Sequence, residues 1–152
     1  MKLELFINNE WVDLMDVDFK ELRDKAGDYV YVSDVDSDFN YSFEGTISLS
    51  ELEDLADKIN ELDNQCVEEE FKALMEYFKD FEEAYSTWEA GAFIYYPDVK
   101  DREELGQYVV DEGLWGEISK TLINYIDYEA IGRDIELNAR GCFTDNGFIE
   151  VC

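Results

Sequence analysis

The sequence predicts an α+β fold built from three small units, and three observations carry that expectation. Asn8-Asn9 and Asn146-Gly147 each separate two short apolar, strand-like runs, as in β-hairpins. Between them, Leu49, Leu52, Leu55, Ala56, Ile59 and Leu62 recur at helical spacing. Finally, 46% of the 152 residues are hydrophobic and 15% are aromatic, enough to build packed cores despite a net charge of -27.

Residues 1–46 read as an N-terminal α+β unit. Lys2 to Ile7 is strand-like, Asn8-Asn9 supplies a turn, and Trp11 to Leu14 resumes the strand pattern. A helix follows from Phe19 to Ala26, with Gly27 as its stop. Tyr29 to Val32 is a strand, Ser33 to Asn40 an acidic loop, and Tyr41-Ser42-Phe43 a return to the sheet.

Residues 47–90 read as a helical middle unit. Ser48-Leu49-Ser50-Glu51 has capping-box spacing and opens the first helix. Asn64 is placed as the cap of the second, whose apolar face is Val67, Phe71, Leu74, Met75 and Phe78. A third, short helix runs from Phe81 to Trp88.

Residues 91–152 read as a C-terminal α+β unit. Ala92 to Tyr96 is a strand ended by Pro97, the single proline. Asp101 caps a helix that runs to about Glu112 and stops at Gly113. A helix near residue 130 carries a partial apolar stripe of Ile126, Ala130 and Leu137, and a hairpin around Asn146-Gly147 closes the chain.

The 39 acidic residues against 12 basic ones are spread along the chain, with no basic residue between Lys25 and Lys58. Such a field repels nucleic acid and anionic membranes and attracts basic surfaces. No run reaches the roughly 18 apolar residues of a membrane span, and no signal-peptide stretch follows Met1. Cys66, Cys142 and Cys152 are odd in number and lack C-x-x-C spacing, which argues for reduced thiols rather than a disulfide framework or a zinc site.

Catalysis is not expected. The chain has no histidine, which removes histidine triads and histidine-ligated metals, and it has no phosphate-binding glycine motif. No cofactor is expected. Asp34-Val35-Asp36-Ser37-Asp38 invites a calcium-loop reading. The EF-hand form fails, because Phe39 and Gly45 stand where glycine and glutamate are required.

The acidic helix faces are more informative. Charged outer faces are ordinary, and the second helix mixes Lys72 and Lys79 among its acids. The first, from Ser48 to Leu62, has only Lys58, and it carries Glu53, Asp57 and Glu61 at i, i+4 and i+8. Helical neighbours at this spacing stand about 5–6 Å apart, a scale suited to standing in for a phosphate row. B-DNA carries one charge per about 1.7 Å, so 27 net charges match roughly 46 Å of duplex.

The carboxylates assigned to partner binding come from every unit. The N-terminal unit supplies Asp28, Asp34, Asp36, Asp38 and Glu44. The middle unit supplies Glu51, Glu53, Asp54, Asp57 and Glu61, then Glu68, Glu69 and Glu76, then Glu82 and Glu83. The C-terminal unit supplies Glu103, Glu104, Asp111 and Glu112.

One segment is more specific than charge. Asn124-Tyr125-Ile126-Asp127-Tyr128-Glu129-Ala130-Ile131-Gly132-Arg133-Asp134-Ile135 resembles the signature of the ArdA-type antirestriction proteins. The lead-in Asp111-Glu112-Gly113-Leu114-Trp115-Gly116-Glu117 is similar to the stretch that precedes it in that family. The resemblance implies an elongated, curved, three-domain homodimer that mimics bent B-form DNA. It implies inhibition of type I restriction-modification enzymes at the groove formed by their modification and specificity subunits, in the cytoplasm of a bacterial host. It also implies carriage by mobile elements that evade host defence.

By the same resemblance, the signature lies near the dimer contact. Asn124, Tyr125, Ile126, Asp127, Tyr128, Glu129, Gly132, Arg133 and Asp134 are the residues concerned. Gly132 would permit close backbone approach, and Arg133 has Asp127, Glu129 and Asp134 as candidate partners. A purely internal role for the segment is the alternative. Other readings of the whole chain are a decoy for a CRISPR nuclease or nucleoid protein, an acidic cation-binding protein, and a halophile's acidic surface.

Overall fold

A computed structural model describes every residue from Met1 to Cys152. It holds seven strands, six α-helices and one short 3-10 helix, with antiparallel pairing throughout, so the α+β class holds. The chain divides into two compact units, Met1–Tyr85 and Ser86–Cys152.

In the first unit, β1 (Leu3–Ile7) and β2 (Glu10–Asp13) form the expected hairpin through Asn8 and Asn9, both at positive φ. Asparagine tolerates that region better than most side chains. Helix α1 (Phe19–Ala26) has the expected bounds. Asp18 accepts hydrogen bonds from the Lys20 and Glu21 N–H groups at its start, and Gly27 ends it. Strands β3 (Tyr29–Ser37) and β4 (Gly45–Ser48) complete a sheet in the order β2-β1-β3-β4.

Two expectations are corrected in this sheet. Ser33 to Ser37 continues β3 instead of looping out, because Asp34 to Ser37 pair with Leu3 to Phe6 of β1. Phe6 faces Asp34 while Ile7 faces Val32, so Ser33 is an extra residue in the ladder. The resulting bulge resets the inward and outward alternation. Val30 and Val32 are buried before it; after it Val35 is half-buried while Asp34 and Asp36 stay exposed. Without the bulge both aspartates would turn into the core.

The second correction concerns Tyr41 to Phe43, which are not strand. The Tyr41 N–H donates to Ser37 Oγ at 2.8 Å, turning the chain inward. Tyr41 then packs its ring against Phe39 and Phe81. The fourth strand is instead Gly45–Ser48, paired with Tyr29 to Val32.

Helix α2 (Leu49–Gln65) opens with the predicted capping box. The Glu51 N–H donates to Ser48 Oγ, and the Glu51 carboxylate accepts from the Ser48 N–H. All six residues of the predicted stripe are buried. The helix runs past Asn64, which is not a cap. Cys66 ends α2 in the left-handed region, and Val67 precedes α3 (Glu68–Phe78) without a side-chain cap. On α3, Phe71, Leu74 and Met75 are buried as expected, joined by Ala73, while Val67 and Phe78 are only half-buried. Helix α4 (Phe81–Glu89) buries Phe81, Ala84 and Tyr85. Phe81 sits edge-on to Phe39 and Phe71, tying the end of β3 to the helices.

The second unit is a sheet in the order β5-β7-β6 carrying two helices. Its elements are β5 (Phe93–Pro97), α5 (Arg102–Asp111), a 3-10 turn (Ile123–Tyr125), α6 (Tyr128–Asn138), β6 (Gly141–Thr144) and β7 (Gly147–Val151). Tyr96, Val99, Leu105, Val109 and Phe148 form its core, with Ile135 and Ala139 of the α6 region against it. The expected stripe on α6 is corrected in one position. Leu137 is 71% exposed, because the inward face runs through Gly132, Ile135 and Ala139 instead.

Candidate functional site

The carboxylates assigned from sequence lie overwhelmingly at the surface. Of the nineteen, only Glu53, Glu68 and Glu76 are half-buried, and the rest are exposed. Most spring from helices or strands, while Asp28, Asp38, Glu44 and Glu112 lie just outside them. On the sheet, the bulge at Ser33 presents Asp34 and Asp36 on the outer face, and the Tyr31 hydroxyl donates to Glu44 at 3.4 Å. On α2, the inward stripe leaves Glu53, Asp57 and Glu61 along the opposite side, one helical turn apart.

The few cations of the first unit are not scattered counter-charges. Four of them each touch two carboxylates. Lys2 Nζ lies 3.0 Å from Glu4 and 2.7 Å from Asp36. Arg23 lies 3.5 Å from Asp28 and 3.1 Å from Glu53. Lys58 reaches Asp54 at 2.9 Å and Glu82 at 2.7 Å. Lys72 reaches Glu68 at 2.6 Å and Asp38 at 3.4 Å. The amino terminus adds a contact to Asp63 at 2.7 Å. These pairs are mostly solvent-exposed, so each adds little stability alone. Their joint effect is to hold neighbouring carboxylates in place.

Two of the assigned carboxylates have local duties. Glu51 is engaged by Ser48, whose backbone N–H and hydroxyl hold its pKa below the ordinary value. Glu104 accepts from the Lys100 N–H at 2.8 Å while its own N–H donates to Asp101, the predicted cap of α5. Glu103 stands exposed beside it, and Asp111 and Glu112 are exposed at the far end of α5. The Asp34–Asp38 run does not wrap into a loop. Asp36 and Asp38 are engaged by Lys2 and Lys72, and no group of acidic or cysteine side chains has the form of a metal site.

The signature segment does several things at once. Asn124 and Tyr125 lie on the 3-10 turn, with Tyr125 84% exposed. Ile126 and Tyr128 are half-buried, and Asp127 caps α6 by accepting from the Ala130 N–H at 3.0 Å. Glu129 is exposed in the first turn. Gly132 is buried against Arg102 of α5, where a side chain would meet the Arg102 carbonyl. Of the three candidate partners for Arg133, the structure selects Asp134, at 3.6 Å with both side chains exposed.

Three features escaped the sequence reading. Gly106 is the α5 counterpart of Gly132, and its place inside a helical run was the available signal. Arg102 pairs with Glu136 at 2.5 Å, a contact across 34 residues that no local pattern announces. Ile94, Leu114 and Trp115, all exposed, line a groove of about 430 Å³ together with Ile135 and Asp134.

No helix is long and apolar enough to cross a membrane. No curated protein matches the chain. A family model described as antirestriction protein (ArdA) matches residues 7–150, nearly the whole sequence and all of the signature. The chain therefore belongs to the ArdA family, a family of antirestriction proteins rather than a known family of enzymes.

Proposed function

We propose that this protein performs its antirestriction role as a mimic of B-form DNA. It occupies the DNA-binding groove of a type I restriction-modification enzyme, against the modification and specificity subunits, in the cytoplasm of a bacterial host. The observation that carries the reading is the fixed carboxylate surface, from Asp34 and Asp36 on the sheet to Glu53, Asp57 and Glu61 on α2. DNA-binding enzymes gain much of their affinity from lysine and arginine contacts to phosphates. Carboxylates on rigid elements accept the same hydrogen bonds while offering no base to cleave or methylate. Such a decoy needs no base-edge pattern, so it acts on enzymes of different sequence specificity.

In this reading, residues 1–46, 47–90 and 91–152 are three units that each contribute phosphate-like carboxylates. The protein acts as a homodimer joined near Tyr125, Tyr128, Arg133 and Asp134. Exposed Leu114, Trp115, Leu122, Ile123 and Leu137, all in the same unit as the signature, support that placement. Large exposed apolar side chains of this kind suit an interaction surface. The test is to add the purified protein to a type I enzyme acting on unmodified plasmid. Dose-dependent loss of both cleavage and methyl transfer supports groove occupation. Loss of cleavage with methyl transfer intact places the action on the restriction machinery alone and contradicts it.

A further inference from the structure

Among the bridging cations, Lys58 has the most built surroundings. Its side chain is 20% exposed, although it emerges from a helix whose neighbours Asp57 and Glu61 are exposed. Its ammonium lies 5.2 Å from the centre of the Tyr85 ring and contacts Asp54 on its own helix and Glu82 on α4. The Tyr85 hydroxyl in turn donates to Glu61 at 2.7 Å. Burial disfavours the Lys58 charge, yet the bonds to Glu82 and Asp54 more than offset it and raise its pKa. Lysine and tyrosine together therefore hold three carboxylates from two helices. Asp54 and Glu82 remain 64% and 69% exposed, available to a partner while being held from below.

We infer that Lys58, with Tyr85, is a positioning device that sets the arrangement of Asp54, Glu61 and Glu82 for a basic partner surface. The inference deepens the proposed function and rests on it for the identity of that surface. It has a counter-intuitive consequence. If bulk charge alone governed capture, removing a lysine would help, because losing one positive charge takes the net charge from -27 to -28. If arrangement governs it, removing this lysine harms capture, since two carboxylates on a shared ammonium would repel once it is gone.

The experiment uses the full chain and measures displacement of a labelled duplex from a type I methyltransferase core. Lys58→Met should displace DNA about tenfold less well than the unsubstituted protein, at a temperature where both are folded. Lys58→Arg should recover most of the loss, since arginine supplies the same charge to the same carboxylates. Lys20→Met, an exposed α1 residue outside the clasp, makes the same charge change and should leave displacement unchanged or slightly improved. Adding Lys58→Met to Glu82→Gln should weaken displacement less than it does alone, because the lysine acts through that carboxylate. Displacement by Lys58→Met as strong as, or stronger than, that of the unsubstituted protein overturns the inference.

If the unsubstituted protein displaces no DNA, the proposed function fails separately. The clasp is then decided by the same cycle of variants read by urea unfolding. Coupling between Lys58→Met and Glu82→Gln supports the held arrangement, and strict additivity overturns it.

Discussion

Gly106 of α5 and Gly132 of α6 meet where the two helices cross. A methyl group on Gly106 would come 3.1 Å from the Gly132 nitrogen and would collide with the Tyr128 carbonyl. One on Gly132 would collide with the Arg102 carbonyl. The backbones are in contact, with no side chain between them. The glycine of the signature thus has a duty inside the chain itself. It holds α6 against α5 and so fixes where Arg133 and Asp134 emerge on the opposite side.

Alanine at either glycine should therefore be severely destabilising. The obstacle is backbone rather than a movable side chain, so overpacking should cost roughly 3 kcal/mol or more. Thermal unfolding of Gly132→Ala and Gly106→Ala would check this. A loss under about 0.5 kcal/mol would mean that the helices separate easily.

Replacing Ser48 by alanine removes the capping box of α2 and should cost about 1 kcal/mol. A pH effect accompanies it. The Ser48 backbone N–H and hydroxyl lower the pKa of Glu51 below its ordinary 4.5 in the folded state. A carboxylate with a depressed folded pKa contributes stability that is present above the unfolded value and lost as pH falls through the folded one. The difference in melting temperature between the unsubstituted protein and Glu51→Gln should therefore be steady at neutral pH and shrink as pH drops below about 4.5.

The local elements were legible because their signals are local. The end of α1 follows from Gly27, and the buried stripe of α2 follows from spacing alone. What escaped depends on partners distant in sequence. The run Ser33 to Ser37 looks like a loop until β1 pairs with it, and the Ser33 bulge exists only in that pairing. Spacing puts Leu137 inward because it gives a period but not its phase, which the α5 crossing at Gly132 decides. Exposure of the assigned carboxylates was readable from composition. The lysines and arginine that tie them together were not, since Lys58 meets Glu82 across 24 residues and Lys72 meets Asp38 across 34.

Arg133→Glu should convert the proposed dimer into monomers. Its only ion pair within the chain is an exposed one with Asp134 at 3.6 Å, so the substitution has little to break inside the fold. Light scattering at several protein concentrations, with circular dichroism to verify folding, would check it. A folded variant that remains dimeric contradicts the placement of the contact.

Salt should act in opposite directions on the free protein and on its complex. Self-repulsion among 39 acids against 12 bases weakens the free fold, and screening relieves it. Raising salt from about 0.01 M to about 0.3 M should therefore raise the melting temperature. A steady fall over that range would contradict the repulsion account.

The most direct test of DNA mimicry is competition with a labelled cognate duplex for a type I methyltransferase core at low and moderate salt. The account predicts that the protein displaces the duplex and binds the same site exclusively, with affinity falling as salt rises. A ternary complex of enzyme, duplex and protein, or binding indifferent to salt, would contradict it.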